Sequence, residues 1–495
     1  MKFSEMIEKN AELNLITEQL FDFEINKLCY NSKLVESGDV FFAIRGFKSD
    51  GNKYINDAFD KGAGAAITDQ YPDTRDERIH KVDDVRKAMA MMSGAYYGYP
   101  SLKLKMIGVT GTNGKTTISS LINFTLEQAG KKTGLIGTNG NFINKKFIET
   151  AYTTPESVEL NKLLKDMAEA GVEYVTMEVS SHSLSLSRVY GIDFDAAVFT
   201  NLTPEHLDFH GNMADYFSSK KILFDSIERI NKKGNNTSVI YNADDIYGAR
   251  IINGSEAERV SFGFERSMFS VENLKMGFDG MNFDMLVPLN GEGINRINVS
   301  TKLIGKFNVY NILASAAALK AMKIPIKNTV NAIKDFSPVD GRFNQVALKN
   351  KAIAIIDYSH TPDSLLKALT TIKEILAASG SKGKIITVFG CGGNRDKTKR
   401  PKMGEIATKY SDHAIITSDN PRDEDPMGII EDVKAGIKSD NYSVEENREQ
   451  AIGKAVKMSS TGDVILVAGK GHETYQEIKG VRHHLSDREI VERFS

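Results

Sequence analysis

The pattern of apolar and polar positions predicts buried strands that alternate with amphipathic helices over most of the chain. Short apolar runs predict strands at 40–44, 174–179, 196–200, 238–242, 352–357, 384–389, 414–417 and 464–468. Apolar residues recur at helical spacing between several of these runs, as at Ile118, Leu121, Ile122 and Leu126. Such alternation is typical of βαβ units around a mostly parallel sheet. Gly and Asn interrupt the short apolar runs of Val260–Leu303, which therefore predicts an antiparallel appendage.

The alternation divides the chain of 495 residues into three predicted domains, which suits the usual size of about 150 residues each. We expect a small N-terminal α/β domain over residues 1–100, a central domain over 101–337 and a C-terminal domain over 338–495. The Gly-, Pro- and Tyr-rich stretch Tyr96–Ser101 is the predicted linker between the first two. The C-terminal pattern is similar to that of a doubly wound, Rossmann-like unit. The predicted fold class is α/β.

The segment Leu104–Thr117, LKMIGVTGTNGKTT, combines an apolar run, a Gly-rich turn and a Lys-Thr-Thr sequence. This order is typical of a phosphate-binding loop (P-loop), in which a strand leads into the turn and a helix points its N-terminus at an anion. Lys115 is then placed to neutralise the β- and γ-phosphates, and Thr116 to bind Mg²⁺. The strict pattern would place its first glycine at Val109, so this loop is a variant of it. The segment predicts ATP or GTP together with a divalent ion.

Composition narrows the class of function. A formal net charge of −2 argues against an electrostatic binder of nucleic acid or of anionic membranes, because such proteins carry a strong basic excess or patch. The two cysteines, Cys29 and Cys391, are too few for a disulfide framework and too far apart in sequence for a chelate motif. The N-terminus lacks the apolar core of a signal peptide, and no apolar run approaches the ~18 residues of a spanning helix. We expect a soluble, cytoplasmic protein that acts on small molecules, with no membrane insertion.

Acidic and histidine side chains follow two predicted strands of the central domain. Glu178 ends one strand, where it is well placed to hold Mg²⁺ beside the P-loop, and Ser180-Ser181-His182 follows it. The next strand leads into a segment that brings His206, Asp208 and His210 close together in sequence. This density of histidine and carboxylate favours metal or phosphate chemistry over separate structural roles.

Lys220 and Lys221 interrupt an apolar segment and leave two interpretations open. Composition favours a solvated helix face. Alternatively, a lysine held against a dication can lose a proton and be carbamylated by CO₂, which turns it into an anionic ligand. The local sequence does not choose between them.

Four polar clusters of the C-terminal domain each come directly after a predicted strand. They are Asp357–His360, Gly390–Asp396, Asp419–Arg422 and Gly469–Glu473. In an open α/β sheet the ligand crevice lies at the carboxyl ends of the strands, so these clusters predict one shared site. In the N-terminal domain, Asn31-Ser32-Lys33 and Asp50-Gly51 fit either a further ligand site or ordinary turn chemistry.

Motifs along nearly the whole chain, taken together, resemble those of the Mur ligases, the ATP-dependent amide-forming enzymes of bacterial cell-wall synthesis. In family order, they are TGTNGKTT at 110–117, MEVSSH at 177–182, NLTPEHLDFH at 201–210, GKFNVYN at 305–311, GRF at 341–343 and the four C-terminal clusters. The resemblance implies a three-domain architecture, with a UDP-binding N-terminal domain, a central P-loop ATPase domain and a C-terminal amino-acid-binding domain.

Within that family the chain most resembles the synthetases that form the tripeptide. This implies that ATP phosphorylates a carboxylate of UDP-N-acetylmuramoyl-L-alanyl-D-glutamate. An amine then attacks the acyl phosphate, which releases phosphate and leaves an amide. The implied substrates are ATP, this nucleotide-sugar dipeptide and meso-2,6-diaminopimelate, and we expect a monomer that binds no nucleic acid.

The resemblance also implies roles for individual residues. The ATP-binding positions are Gly111, Thr112, Asn113, Gly114, Lys115, Thr116, Thr117, Asn308, Asn311 and Arg342. Two Mg²⁺ ions would be held, one by Thr116 and Glu178 and the other by Glu178, His206 and a carbamylated lysine. In the family that lysine precedes an x-x-Leu-Phe run, which selects Lys220, so the implied catalytic set is Lys115, Glu178, His206 and Lys220. The positions for the UDP-sugar peptide are Ser32, Thr153, Thr154, Ser181 and Arg188, while Asn31, Lys33 and Leu186 depart from the family pattern.

The third amino acid is selected, by resemblance, at Asp419–Arg422. An arginine at this place is typical of the enzymes that add meso-diaminopimelate, and lysine-adding relatives usually lack it. The physical reason is that a guanidinium binds the second carboxylate of diaminopimelate with two hydrogen bonds, whereas it repels the ammonium of L-lysine. The implied amino-acid-binding residues are Arg395, Asp419, Asn420, Arg422, Gly469 and Glu473.

Other functions remain open on the sequence alone. One is a related ligase, either a lysine-adding sibling or one similar to folylpolyglutamate synthetase. Another is a binding protein that hydrolyses ATP only to change the arrangement of its domains. Because the P-loop and the C-terminal clusters belong to different predicted domains, any ligase reaction also requires the domains to close on each other.

Overall fold

A computed structural model of the protein describes residues 1–10, 22–46, 49–70, 76–150, 152–229, 232–289 and 293–495. The N-terminal unit is a parallel four-stranded sheet with helices beside it. Its strands, in order across the sheet, are β1 (Leu28–Cys29), β2 (Val40–Phe42), β3 (Ala65–Thr68) and β4 (Ile79–Lys81). Its helices are α1 (Phe3–Lys9), α2 (Ile55–Asp60) and α3 (Val85–Tyr96).

The central unit is built on an eight-stranded sheet in the order β12-β11-β10-β5-β9-β6-β7-β8. The strands are β5 (Lys105–Thr110), β6 (Thr133–Gly137), β7 (Gly140–Ile143), β8 (Lys146–Ile148), β9 (Tyr174–Glu178), β10 (Ala196–Phe199), β11 (Ser238–Asn242) and β12 (Glu258–Phe262). The helices are α4 (Lys115–Gln128), α5 (Ser157–Glu169), α6 (Ser181–Ser185), α7 (Leu207–His210), α8 (Met213–Arg229) and α9 (Gly248–Ile251). From β12 to β6 the strands are parallel, and β6, β7 and β8 form an antiparallel edge. The expectation of a mostly parallel sheet is confirmed.

An antiparallel appendage follows, as predicted, but it begins later than the sequence suggested. It consists of β13 (Ser270–Gly277), β14 (Gly280–Pro288) and β15 (Ile294–Thr301), and helices α10 (Lys306–Ala321) and α11 (Ile326–Asp335) come next. The prediction was wrong for Val260–Phe262, which lies in β12 and pairs in parallel with β11. An apolar run predicts a strand but does not specify its neighbour, and here the run extends the central sheet by one more strand.

The C-terminal unit has a six-stranded sheet in the order β16-β17-β21-β18-β19-β20. The strands are β16 (Asn344–Ala347), β17 (Ile353–Asp357), β18 (Ile385–Phe389), β19 (His413–Ile416), β20 (Tyr442–Val444) and β21 (Val464–Ala468). The sheet is parallel except for the edge strand β16, and a hairpin of β22 (Tyr475–Ile478) and β23 (Val481–His484) follows it. The helices are α12 (Pro362–Ala378), α13 (Lys399–Tyr410), α14 (Pro426–Lys434), α15 (Arg448–Met458) and α16 (Asp487–Phe494). This is the expected doubly wound unit.

The apolar runs of the sequence become strands that helices cover on both faces. Ile107 and Val109 of β5 pack in a core with α4 and α10, while Met106 of the same strand faces a second core with α5. Parallel strands are buried in this way on both sides, which explains their almost continuously apolar sequence. Across the described ranges, no helix has both the length and the hydropathy that crossing a bilayer requires.

Candidate active site

The P-loop forms a tight turn between β5 and α4. Gly111 and Gly114 have φ angles of +145° and +92°, a backbone conformation that side chains disfavour. A Cβ atom at Gly111 would also collide with the Thr200 side chain, and one at Gly114 would collide with Asn311. Both glycines are therefore required by the close packing of the loop. Helix α4 begins at Lys115 with no side-chain cap, so its first backbone N–H groups are available to an anion.

Thr116 and Glu178 meet directly beside this loop. The Thr116 hydroxyl donates to Glu178 Oε2 at 3.0 Å, and the Glu178 carboxylate also accepts from the backbone N–H of Thr138 at 2.9 Å and from its hydroxyl at 3.1 Å. They are neighbours because β5 and β9 are adjacent parallel strands whose carboxyl ends share one edge of the sheet. The carboxylate is only 1% exposed. Its hydrogen bonds fix its orientation towards the start of α4.

Two lysines converge on the carbonyl oxygen of Gly111. Lys115 Nζ donates to it at 2.9 Å and to the Thr112 carbonyl at 2.8 Å, and Lys220 Nζ donates to it at 2.9 Å. Burial lowers the pKa of both amines, and the charge of Lys115 lowers the pKa of Lys220 further. Lys220 is 1% exposed. By contrast, Lys221 lies at the surface of α8 and pairs with Asp225, so the two lysines that the local sequence could not distinguish have different environments.

His206 stands at the start of α7 with a left-handed backbone, at φ +56°. Its ring is nearly perpendicular to that of His182 at a centroid distance of 4.7 Å, and its Nε2 is 3.7 Å from Glu205 Oε2. Desolvation lowers the pKa of His206 to about 4 and that of His182 to about 3. Both imidazoles are therefore neutral near pH 7, which is the form that binds metal ions. His210 instead hydrogen-bonds Ser181 and Ser219 at 2.9 and 3.2 Å.

The donor set fits Mg²⁺ that is shared with a nucleotide. No group of three or more His, Cys, Asp or Glu side chains in the described part of the chain is arranged to hold a metal ion by itself. Mg²⁺ does not need such a cage, since it usually takes one or two carboxylates and completes its coordination with phosphate oxygens and water. Thr116 and Glu178 supply the oxygen atoms beside the P-loop.

Residues of the C-terminal unit contact the P-loop at two points and the segment after β10, at Glu205, at a third. Arg342 Nη2 donates to the Thr116 hydroxyl at 3.2 Å, Asn113 Nδ2 donates to Asp363 Oδ2 at 3.1 Å, and His360 Nε2 is 3.1 Å from Glu205 Oε1. Between these contacts lies a cavity of about 600 Å³, whose walls include P-loop residues, Glu178, Lys220, Asn311 and Arg342. Asn308 is not part of the wall but bonds Asn311 at 2.9 Å. Both predicted domains thus contribute residues to the wall of the predicted nucleotide site.

Four of the five residues assigned to the UDP-sugar peptide surround the end of β9. Thr154 donates to the Glu178 carbonyl at 2.9 Å, Thr153 hydrogen-bonds Thr138 at 3.1 Å, and Arg188 donates to the Thr154 carbonyl at 3.0 Å. Ser181 is the partner of His210 described above. Ser32 belongs to the N-terminal unit instead, where its carbonyl accepts from Lys61 at 2.7 Å. The structure does not bring it into hydrogen-bond contact with the other four.

The residues assigned to the amino acid gather at the carboxyl ends of β18, β19 and β21. Asn420 Nδ2 donates to Glu473 Oε2 at 2.8 Å, and Arg422 donates to the Gly393 carbonyl at 2.8 Å. Gly469, at φ +117°, leaves room for the Asp419 carboxylate beside it, while Arg395 is exposed at the rim. This cluster is not part of the 600 Å³ cavity, but Tyr358 of the cavity wall packs on His472 at a ring distance of 5.4 Å. The four predicted polar clusters therefore occupy one edge of the sheet in two adjoining compartments.

Sequence reasoning gave no role to several residues that the structure places at these sites. Lys470 is fully buried and bridges Asn420 Oδ1 and Glu473 Oε2 at 3.0 and 3.1 Å. Lys470 stands between two glycines directly after a buried strand, and this position in the sequence could have indicated a role at the site. Glu205, Asp363 and Arg400 had no comparable signal, because their partners are distant in sequence.

Family models match three stretches of the chain. The model described as "Mur ligase family, catalytic domain" matches residues 24–97, "Mur ligase middle domain" matches 109–319, and "Mur ligase, glutamate ligase domain" matches 341–471. Among curated proteins, the chain is 45% identical over 495 residues to UDP-N-acetylmuramoyl-L-alanyl-D-glutamate--2,6-diaminopimelate ligase of Clostridium botulinum, covering 98% of each chain. It is 42% identical to the protein of the same name from Clostridioides difficile, covering 99% of each chain.

The chain also has the fold of several solved ligase structures. A structure of UDP-N-acetylmuramoyl-L-alanyl-D-glutamate--2,6-diaminopimelate ligase superposes with a TM-score of 0.68 at 28% identity, covering 99% of this chain and 98% of that one. MurF ligase from Thermotoga maritima in complex with ADP superposes with a TM-score of 0.62 at 20% identity, covering 90% and 94%. Folylpolyglutamate synthase of Mycobacterium tuberculosis superposes with a TM-score of 0.60 at 15% identity, covering 76% and 91%. At such identities the last two likenesses concern the fold alone.

Proposed function

This chain belongs to the Mur ligase family, and we propose that it adds meso-2,6-diaminopimelate to UDP-N-acetylmuramoyl-L-alanyl-D-glutamate, using ATP, in peptidoglycan synthesis. Relatives that carry the name of this ligase match the chain over nearly its full length at 41–45% identity. We further propose that the reaction takes place in the cytoplasm and that residues 1–100, 101–337 and 338–495 act as the three domains. Each large sheet lies within one of these ranges.

The residues that line one cavity support the proposed type of reaction. The P-loop, Glu178 and Lys220 of the central unit and Arg342 of the C-terminal unit all line the same cavity of about 600 Å³. A phosphoryl transfer requires cationic groups around the transferring phosphate and a bound acceptor in line with it. The cavity offers Lys115 and Arg342 as cations and opens near the residues assigned to the peptide substrate. It therefore supports transfer of the γ-phosphoryl group of ATP to a carboxylate.

The proposed chemistry has two steps. The substrate carboxylate oxygen attacks the γ-phosphorus of ATP, and the bond from that phosphorus to the β,γ-bridging oxygen breaks. ADP is the leaving group, and the substrate becomes an acyl phosphate. The amine of diaminopimelate then attacks the acyl carbon, phosphate departs with its bonding electrons, and the amine loses a proton as the amide forms. Lys115 and Arg342 stabilise charge on the phosphoryl group, while Thr116 and Glu178 hold Mg²⁺. Mg²⁺ neutralises phosphate charge when bound.

Lys220 is proposed to work as a carbamate. Its amine would add to CO₂ and lose a proton, which replaces a cation by an anionic oxygen ligand. Two features support this. Burial and the neighbouring charge of Lys115 lower the pKa of Lys220, so that more of the reactive neutral amine is present at neutral pH. A buried ammonium beside a second cation is also unfavourable, and carbamylation removes that repulsion.

The amino-acid site supports diaminopimelate as the acceptor. Arg422 uses one of its donors on the Gly393 carbonyl and lies 3.5 Å from Glu477, which leaves further donors for a carboxylate. We assign Glu473 and the Gly469 carbonyl as acceptors for the ammonium of the same amino-acid head. L-lysine has no carboxylate at this end, so Arg422 would face its ammonium directly.

The direct test is phosphate release from Mg-ATP in the presence of UDP-N-acetylmuramoyl-L-alanyl-D-glutamate. We expect release, and a product with the mass of the tripeptide, with meso-diaminopimelate but not with L-lysine or without an amino acid. Preference for L-lysine would keep the ligase and overturn the role of Arg422. ATP turnover that needs neither substrate would instead indicate a nucleotide-driven switch, and no coupled turnover would favour a related ligase.

Replacing Arg422 with alanine should raise the KM for meso-diaminopimelate by about 10–100-fold, as expected for losing hydrogen bonds to a charged group. The KM for ATP should stay within about twofold, because Arg422 does not line the nucleotide cavity. Arg482→Ala is a matched control, since Arg482 is an exposed arginine that stacks on Tyr475 in the nearby hairpin. Steady-state kinetics with varied amino acid measures both. Unchanged amino-acid selectivity in Arg422→Ala would remove its assigned role.

A further inference from the structure

The two arginines assigned to the carboxylate of diaminopimelate stand on separate loops. Arg395 lies between β18 and α13, and Arg422 lies between β19 and α14. Arg422 and the nearby Asn394 both adopt left-handed backbones, at φ +52° and +53°. Two guanidinium groups can bind one carboxylate only if the spacing of their loops is fixed, so something must hold the loops together.

Arg400, close to these loops, is unusual in its position and its burial. It stands in the first turn of α13, where the partial positive charge of the helix N-terminus disfavours a cation, and its side chain is fully buried. A buried cation of this kind needs strong partners. Its partners are Glu424, Asp432 and the Gly392 carbonyl.

Glu424 ties Arg400 to both loops. The guanidinium of Arg400 donates two hydrogen bonds to the Glu424 carboxylate, at 2.9 and 3.0 Å. This pairing lowers the pKa of Glu424 to about 2. The same carboxylate accepts from the backbone N–H of Asn394 at 2.6 Å, next to Arg395. Arg400 also donates to the Gly392 carbonyl at 3.2 Å. Glu424 itself follows Arg422 by two residues, so one ion pair contacts both arginine-bearing loops.

We propose that the Arg400–Glu424 ion pair is a positioning device that sets the spacing of Arg395 and Arg422 and thereby the affinity for diaminopimelate. This inference rests on the proposed function, because it concerns the same amino-acid site. Neither residue is among those assigned to contact the amino acid. Asp432, on the other side of Arg400, belongs to α14 and has a half-exposed side chain, and its ion pair with Arg400 contacts neither loop.

The test compares Glu424→Gln with Asp432→Asn. Both changes remove one negative partner of Arg400 with almost no change in shape, but only the first weakens the connection between the loops. Glu424→Gln should raise the KM for meso-diaminopimelate by about tenfold or more, while kcat and the KM values for ATP and the UDP-dipeptide stay within about twofold. Asp432→Asn should leave all of these within about twofold. Equal effects of the two variants, or an unchanged KM in Glu424→Gln, would overturn the proposal.

A second measurement separates this inference from the proposed function. Hydrogen exchange at the backbone amides of 390–398 and 419–425 reports on the loops without any substrate. We expect faster exchange in both loops for Glu424→Gln than for Asp432→Asn. If the wild-type protein makes no product with meso-diaminopimelate, the proposed function fails whatever the exchange shows. If it makes product but the loops exchange equally in both variants, the positioning role fails alone.

Discussion

Replacing Lys220 with alanine should lower kcat by about a thousandfold, whereas Lys221→Ala should stay within about twofold of the wild-type protein. The two lysines are adjacent on α8, which makes them a matched pair. Lys220 is buried, bonds the Gly111 carbonyl at 2.9 Å and lines the nucleotide cavity. Lys221 pairs with Asp225 at the surface, and such pairs contribute little. Steady-state phosphate release with ATP, the UDP-dipeptide and meso-diaminopimelate measures the difference.

Lys220→Arg distinguishes a carbamate from a simple cation. Arginine keeps the positive charge and much of the length but does not form a carbamate, so we expect it to be as inactive as the alanine variant. Activity should also fall in buffer stripped of CO₂ and return with bicarbonate, and isotope-labelled bicarbonate should give a carbamate signal in NMR spectra of the wild-type protein only. A Lys220→Arg variant with wild-type activity would show that charge alone is needed.

The alternation of apolar runs was enough to predict most of the fold. Strands buried on both faces have nearly continuous apolar sequence, and each P-loop feature is local, so β5, the turn and α4 could be recognised in one segment. The partner of each strand and the direction of pairing could not be predicted from the sequence in the same way. Val260–Phe262 has the composition of a strand in either sheet, and only the tertiary structure assigns it to β12 beside β11.

The contacts that complete the site are absent from any local pattern. Glu205 and His360 are 155 residues apart, and Asn113 and Asp363 are 250 apart. Likewise, α13 begins at Lys399, which places Arg400 in its first turn and in the protein interior. The polar neighbours of Arg400 in sequence do not suggest that it is buried.

Replacing Arg342 with alanine is expected to reduce kcat by about a thousandfold or more, the effect of removing an arginine that stabilises a transferring phosphoryl group. Arg342 belongs to the predicted C-terminal domain, yet it donates to the Thr116 hydroxyl at 3.2 Å and its guanidinium carbon lies 4.9 Å from the centre of the Tyr358 ring. Its Nε is buried without a protein partner, which leaves a donor for a phosphate oxygen. Arg342→Lys should restore little, because lysine lacks the planar fork.

Arg488→Ala is the matched control, since this exposed arginine contacts Asp340 in the same segment at 3.4 Å but does not line the cavity.

Small-angle scattering adds a second readout, because Arg342 and Thr116 link the two predicted domains. The wild-type protein and Arg488→Ala should become more compact with an ATP analogue and the UDP-dipeptide, and Arg342→Ala should do so less. Full kcat in Arg342→Ala would contradict the assignment. Normal compaction with lost kcat would instead limit Arg342 to charge stabilisation, and domain closure would then depend on the remaining contacts of Asn113 with Asp363 and of Glu205 with His360.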